Sequence, residues 1–141
     1  MYQISVFLEN RSGQLAEITQ TLAEHNIDLR AIHIAESADY GVVRLIASDT
    51  EAASGILLEH GFILSRTPVL PVAVPDRVGG LAELLSVLAA EQVDIEYMYS
   101  LFGSRDGKAY MILRVNEPEA VAALLSNHGF APATDAALGI Q

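Results

Sequence analysis

A loop between an apolar strand and an amphipathic helix decides the fold of this chain: Glu9-Asn10-Arg11-Ser12-Gly13-Gln14-Leu15. It returns 66 residues later, with Arg77 matching Arg11, as Pro75-Asp76-Arg77-Val78-Gly79-Gly80-Leu81. Both loops keep an arginine, a glycine and a leucine at the same spacing, and both continue into Ala-Glu. A motif that recurs in this way indicates repeated structural units.

The repeat continues through almost the whole chain. Leu22-Ala23 recurs as Leu88-Ala89, and His60-Gly61-Phe62 recurs as His128-Gly129-Phe130. The spacing between the copies grows by two residues in the polar turns near residues 37–41 and 103–108, where insertion is tolerated. We therefore predict two domains, residues 1–67 and residues 68–141, the second with a short C-terminal tail.

Each copy has the hydrophobic pattern of a strand, a helix, two strands, a helix and a strand. Apolar residues alternate from Ile4 to Leu8 and predict the first strand, while helical spacing from Leu15 to Leu22 predicts the first helix. Two strands are expected near 27–36 and 41–48, followed by a second helix that opens at Asp49. This order predicts an α+β protein of two ferredoxin-like βαββαβ units, with antiparallel sheets and the helices on one face.

Composition and charge exclude several classes of protein. The chain has 141 residues, 51% of them hydrophobic, so it can form a core. It has no cysteine, which excludes disulfides, thiolate metal sites and a cysteine nucleophile and fits a reducing cytosol. A net charge of -10 would repel nucleic acid, and we find neither a signal peptide nor an apolar run of membrane length. We expect a cytoplasmic protein with no nucleic-acid or membrane partner, no cofactor and no metal.

The two glycine loops are the candidate binding sites. A helix N-terminus presents N–H groups without intrahelical partners and a positive dipole end, which together attract a carboxylate. A glycine lets such a ligand approach the backbone closely. The structural alternative is that Asn10 and Asp76, both preferred N-cap residues, cap the helices while Gly13 and Gly79 serve packing alone.

The motif Asn/Asp-Arg-x-Gly-x-Leu between a strand and an amphipathic helix resembles the ACT domain, a small-molecule sensing module of amino-acid metabolism. Here it occurs twice, and the resemblance covers about 130 of the 141 residues. The chain is similar to stand-alone tandem ACT proteins, which bind amino acids. In ligand-binding ACT domains, the loop Asn and a polar residue at the start of the second strand hold the amino acid at an interface between two domains.

The resemblance implies a set of site residues in each copy. Asp28 and Asp94 take the second-strand position, where aspartate would suit an α-ammonium group, while Asp76 departs from the Asn of the pattern and would repel a nearby carboxylate. The two sites are therefore expected to differ, or only one of them to be used. The predicted ligand-binding residues are Asn10, Arg11, Ser12, Gly13, Gln14, Leu15, Asp28, Asp76, Arg77, Val78, Gly79, Gly80, Leu81 and Asp94.

Three functions compete. The favoured one is a non-catalytic sensor whose bound amino acid changes the packing of ACT domains, read by a separate metabolic enzyme, with the chain itself a homodimer. The first alternative is a ligand-free interaction module or regulatory subunit of such an enzyme. The second is a small isomerase or hydrolase using Asp28 or Asp94 as a base, although no nucleophile-base pair can be assembled from the sequence. No catalytic residue is predicted.

The histidines and aromatic residues are predicted to be structural. His60 and His128 occupy equivalent positions before a glycine, which is typical of helix C-termini rather than of metal ligands, and His25 resembles them at the end of the first helix. Tyr97 and Tyr99 share a face of their strand, and we expect them to pack at an interface rather than to shape a ligand pocket.

Overall fold

The structure is a computed structural model that describes residues 1–9, 11–36 and 40–141. Asn10 lies outside the described residues, and so do residues 37–39, which belong to one of the predicted insertion turns. The described elements follow the predicted order, in sequence β1 (Tyr2–Leu8), α1 (Gln14–Glu24), β2 (Leu29–Glu36), β3 (Gly41–Ala47), α2 (Thr50–Glu59), β4 (Ile63–Pro68), β5 (Leu70–Pro75), α3 (Gly80–Ala90), β6 (Ile95–Arg105), β7 (Lys108–Val115), α4 (Pro118–Asn127) and a 3₁₀ turn (Ala136–Leu138).

The chain divides into two compact units. The N-terminal unit consists of Tyr2–Thr67 together with Gly139–Gln141, and the C-terminal unit consists of Pro68–Leu138 together with Met1. Ile140, in the C-terminal tail, is buried and lies in the N-terminal unit. Each unit has its own hydrophobic core, which is the property expected of a domain.

The N-terminal unit has the complete predicted architecture. Its sheet has the strand order β2-β3-β1-β4, and β1 pairs antiparallel with β3, with Ile4 opposite Leu45. Leu22 from α1 and Leu57 from α2 pack against the same core cluster as Ile4 and Val6 of β1. Both helices therefore cover one face of an antiparallel sheet, which confirms the ferredoxin-like fold.

The C-terminal unit departs from the prediction at its last strand. Its sheet has the order β5-β7-β6, and the fourth strand is reduced to one bridge between Val72 and Pro132, with the Ala133 N–H donating to the Pro71 carbonyl at 2.9 Å. Proline has no N–H with which to continue a ladder, so pairing stops there. The fourth strand expected from the repeat is thus present only as this bridge, and β5 lacks a full neighbour on its outer edge.

The turn between β6 and β7 is tighter than the predicted polar loop at 103–108. β6 continues to Arg105, and Asp106 and Gly107 turn the chain with φ values of 52° and 70°. Two consecutive positive φ values at Asp-Gly are typical of a type I′ hairpin turn. The two extra residues of the second copy thus lengthen a hairpin, which brings Lys108 opposite Pro75 at the end of β5.

The helix ends follow the expected chemistry. Asn26 and Gly61 both adopt positive φ, of 58° and 84°, directly after the C-caps of α1 and α2, a conformation that commonly ends a helix. The four helices span 10 or 11 residues each. Across the ranges that the structure describes, no helix is both long and apolar enough to cross a membrane.

We expect Asp49→Ala to lower the free energy of unfolding by about 1 kcal/mol. Asp49 is the N-cap of α2, and its Oδ1 accepts the Ala52 N–H at 2.9 Å, a bond that alanine cannot replace. The matched control is Glu117→Ala, because Glu117 holds the same repeat position before α4 but makes no side-chain cap bond. Urea unfolding should separate the two variants; equal losses would contradict the role given to Asp49.

Candidate functional site

The glycine loop of the C-terminal unit is open and uncapped. Gly79, not Asp76, is the N-cap of α3; it has a φ of 87°, and no side chain caps the helix. A Cβ built on Gly79 would meet nothing within 4 Å, and Val78 is 100% exposed. The proposed capping role of Asp76 is therefore wrong. The left-handed φ explains why this position holds glycine, since other residues adopt it only under strain.

Several backbone donors in this loop remain available. The Arg77 N–H donates to the Pro75 carbonyl at 2.9 Å and the Gly80 N–H to the Arg77 carbonyl at 3.0 Å. In the described part of the chain, the N–H groups of Val78, Gly79 and Ala82 have no acceptor within hydrogen-bond distance. They lie at the positive end of an 11-residue helix, so the loop is electrostatically suited to an anion.

A groove of about 880 Å³ lies beside this loop, entirely within the C-terminal unit. It is bounded by the end of β5, one side of α3, the start of β7 and the segment after α4. Its lining residues are Ala73, Val74, Pro75, Arg77, Val78, Gly79, Ala82, Glu83, Ser86, Val87, Lys108, His128, Gly129, Phe130 and Ala131.

The groove combines an apolar floor with a few charges. Val87 and Phe130 belong to the shell of apolar residues around the C-terminal core and line the groove as well. Arg77 and Glu83 form an ion pair with a Nη2–Oε1 distance of 2.7 Å, so their charges largely offset each other. Among the described residues the ammonium of Lys108 has no such partner, which leaves it as the cation available to a ligand.

The glycine loop of the N-terminal unit has a similar backbone but different side chains. Gly13 has a φ of 84° and open space around it, and Arg11 pairs with Glu17 at 3.3 Å as Arg77 pairs with Glu83. Gln14 follows it as a buried residue whose Oε1 has no hydrogen-bond partner in the described ranges. Asn10, the predicted polar contact of this loop, lies outside the described residues.

The equivalent of Gln14 in the second copy is Gly80, and there a side chain is impossible in the observed backbone. A Cβ on Gly80 would overlap the carbonyl oxygen of Pro75. Gly80 therefore permits the close approach of α3 to the end of β5, whereas Gly79 supplies the left-handed φ. The two loops therefore differ at this position, where one copy has a buried glutamine and the other a glycine.

Of the three predicted aspartate contacts, Asp76 lies in the loop of the C-terminal unit, whereas Asp28 and Asp94 lie away from the loop of their own unit. Asp28 precedes β2 and Asp94 precedes β6, each beyond the far end of the helix that begins at its loop, a length of about 16 Å for 11 residues. The Asp28 carboxylate is bound to the Arg30 guanidinium at 3.1 Å. The Asp94 carboxylate has no partner among the described residues and lines a second cavity of about 360 Å³. Asp76 is exposed and donates its N–H to the Gly107 carbonyl at 2.8 Å.

The remaining predicted residues divide between surface and core. Ser12 is exposed, and Leu81 is partly exposed on the first turn of α3. Leu15 is partly buried and packs against the N-terminal core. Sequence reasoning missed Lys108, Val87 and Phe130, since they reach the groove only through the β6–β7 hairpin, the far half of α3 and the end of α4.

Two open glycine loops at helix N-termini, each on a ferredoxin-like unit, define a paired α+β fold. The family model of the ACT domain pair matches residues 1–131. The chain therefore belongs to the ACT domain pair family, and the resemblance noted from its motifs is confirmed. No curated protein matches the chain significantly.

Solved structures agree with this assignment. A crystal structure of a protein from Bacteroides thetaiotaomicron is 37% identical, covers 98% of this chain and 94% of its own, and superposes with a TM-score of 0.89. The ligand-free regulatory subunit of aspartate kinase from Thermus thermophilus is 16% identical over 89% of this chain and 90% of its own, with a TM-score of 0.64. The regulatory subunit of aspartate kinase from Thermus flavus is 19% identical over 91% of this chain and 90% of its own, with a TM-score of 0.56. The chain thus shares its fold with regulatory subunits of a metabolic enzyme.

Proposed function

We propose that this chain is a non-catalytic regulatory protein that binds an amino acid at an interface between ACT domains and signals its presence to a separate metabolic enzyme. Its two domains would be residues 1–67 and 68–141, and the protein would act in the cytoplasm as a homodimer. The observation that carries the proposal is the open groove of about 880 Å³ beside Gly79, with unused backbone donors at its rim.

The groove offers a complementary partner for each part of an apolar amino acid. Its carboxylate would accept from the N–H groups of Val78 and Gly79 and pair with the Lys108 ammonium. Its side chain would cover Val87 and Phe130, removing apolar surface from water. We therefore assign the C-terminal loop as the stronger site and an aliphatic or small aromatic amino acid as its ligand.

The α-ammonium group requires an acidic partner. Glu83 lines the same groove, and its carboxylate can accept a hydrogen bond from the ammonium group while still paired with Arg77. Asp94 lies beyond the other end of α3, so it would act only on a ligand shared with a loop of another ACT domain. Asp28 is the weaker candidate for this role because Arg30 already neutralises it. Charge-assisted hydrogen bonds contribute about 1.5 to 3 kcal/mol each, which suits a Kd of about 1 μM to 1 mM after the entropy of binding.

Regulation would follow from linkage. Two arrangements of the domains would exist, and only one of them would let the ligand contact both domains. The ligand stabilises that arrangement by the difference between its affinities for the two. The same coupling means that the partner enzyme, if it binds one arrangement, changes the affinity for the amino acid by an equal factor. The similarity in fold to regulatory subunits of aspartate kinase supports a partner of this kind.

Thermal melting with each of the twenty amino acids tests the proposal. A ligand at 100 times its Kd should add about 2.7 kcal/mol of stability and raise the Tm by several degrees. We expect aliphatic amino acids to give the largest shift and Lys108→Met to weaken binding about tenfold, since a charge-assisted contact is lost. The matched control is Arg105→Met, which removes an exposed cation of the same hairpin that does not line the groove.

The outcomes separate the competing functions. If no amino acid raises the Tm, the sensor function fails and the ligand-free interaction module becomes the better explanation. A shift that is unchanged in Lys108→Met but lost in Asp28→Ala would move the site away from the C-terminal groove. Turnover of a substrate, abolished by Asp94→Ala, would overturn the assignment as a non-catalytic protein.

A further inference from the structure

Two histidines that are far apart in sequence meet at the helix ends of the N-terminal unit. His25 is the C-cap of α1 and His60 is the C-cap of α2. Their ring centroids are 5.7 Å apart and the ring planes are inclined by 83°. Both side chains are exposed, so a dissolved ion can reach them.

Hydrogen bonding leaves the same nitrogen available on each ring. His25 Nδ1 lies 2.8 Å from the Thr21 carbonyl oxygen, and His60 Nδ1 lies 2.8 Å from the Ile56 carbonyl oxygen. A carbonyl can only accept, so Nδ1 carries the proton in both rings and the neutral imidazole presents its lone pair at Nε2. A ring held by its second nitrogen on a backbone carbonyl is the usual state of a histidine that binds a metal.

The spacing of the two rings fits one shared ion. With Zn–N bonds of about 2.0 to 2.1 Å and Nε2 as the ligand atom, two imidazoles on one tetrahedral ion place their centroids about 5 to 6 Å apart. Both rings also stand at helix C-termini, whose dipoles favour positive charge. The observed 5.7 Å falls within this range.

The second copy has a different pair of side chains at the equivalent positions. Glu91 replaces His25 there, and His128 Nε2 lies 3.2 Å from the Glu91 carboxylate. That contact uses the nitrogen which would otherwise bind a metal. The repeat makes these backbone positions equivalent in the two units. In the described residues, however, only the N-terminal unit has a histidine at both positions, and the Thr21 and Ile56 carbonyls contact Nδ1 and leave Nε2 available.

We propose that His25 and His60 together bind a divalent transition-metal ion of the Zn²⁺ type through their Nε2 atoms. The described residues contain no cluster of three or more metal-ligating side chains, so water would complete the coordination. Such an ion would join the C-terminal ends of α1 and α2. The site is separate from the glycine loops, and it does not depend on the function proposed for them.

Isothermal titration of the untagged full chain with Zn²⁺ alone tests this site. We expect saturable binding of one ion, weakened at least about tenfold by His25→Gln and equally by His60→Gln. His128→Gln is the matched control and should leave the affinity unchanged, because that ring faces Glu91. Absence of saturable binding, or a loss of less than about threefold in both pair variants, overturns the proposal.

Nitrogen NMR of the unaltered chain keeps the proposal testable if a variant fails to fold. Zn²⁺ should shift the Nε2 resonances of two histidines together while their Nδ1 atoms stay protonated, as the carbonyl contacts require. Shifts confined to His33 or His128, or shifts at Nδ1, would contradict the assigned pair.

Discussion

Gly80→Ala is expected to lower the free energy of unfolding by about 3 kcal/mol. The new methyl group would overlap the Pro75 carbonyl oxygen, and this obstacle is backbone, which cannot rotate away as a flexible side chain would. Either α3 or the end of β5 must move, and both border the groove. Urea unfolding measures the loss, and the displaced loop should also weaken any ligand bound beside Gly79.

Two other glycines provide controls that separate space from backbone conformation. Gly79→Ala meets open space but must adopt a φ of 87°, at a cost of about 1 to 2 kcal/mol. Gly55→Ala, exposed inside α2 with open space and an ordinary helical φ, should gain about 0.5 to 1 kcal/mol. The expected order of stability is Gly55→Ala, unaltered chain, Gly79→Ala, Gly80→Ala. A Gly80 variant as stable as the Gly79 variant would contradict the close approach.

Leu57→Ala is expected to destabilise the N-terminal unit by about 2 to 5 kcal/mol. Leu57 is fully buried in α2, in the cluster that includes Ile4, Val6 and Leu22. Truncation removes its transfer free energy and leaves a cavity, because neighbours held by the sheet relax only in part. The loss should appear in urea or thermal unfolding of the full chain.

The neighbouring residue supplies the control for this prediction. Leu58 lies on the same helix but is 55% exposed, so Leu58→Ala should change the unfolding free energy by less than about 1 kcal/mol. Both variants carry the same change in helix propensity, and only burial differs between them. Similar losses in the two variants would mean that the packing of α2 on the sheet differs from the one described.

Much of the fold followed from local chemistry. Alternation in β1, helical spacing in α1 and the Asp49 cap are consequences of residues near each other in sequence, so they were predictable without coordinates. The reduction of the last strand to a single bridge was not predicted, because that strand was expected from the repeat and the missing N–H of Pro132 was not considered. The capping alternative for Asp76 was also wrong, since Gly79 with its positive φ is the N-cap of α3.

The candidate site also has one part that the sequence predicted and another part that only the structure revealed. The glycine loop was found from its motif, but Lys108 and Phe130 come to it from other elements, and no spacing in the sequence signals their proximity to Gly79. Likewise the histidines 25 and 60 were each recognised as helix-end residues, while their meeting depends on how α1 and α2 pack. Contacts of this kind depend on side chains far apart along the chain, and only packing decides them.

The amino-acid sequence by itself determined that this chain is a duplicated βαββαβ protein of the ACT pair type, because repetition and hydrophobic period are properties of neighbouring residues. Tertiary structure alone decided that the second sheet stops short at Pro132, that a groove opens beside Gly79, and that a lysine and two histidines stand where ligands can reach them. The physical reason is that a local pattern selects elements of secondary structure, whereas cavities and pairs of distant side chains arise from the close packing of those elements.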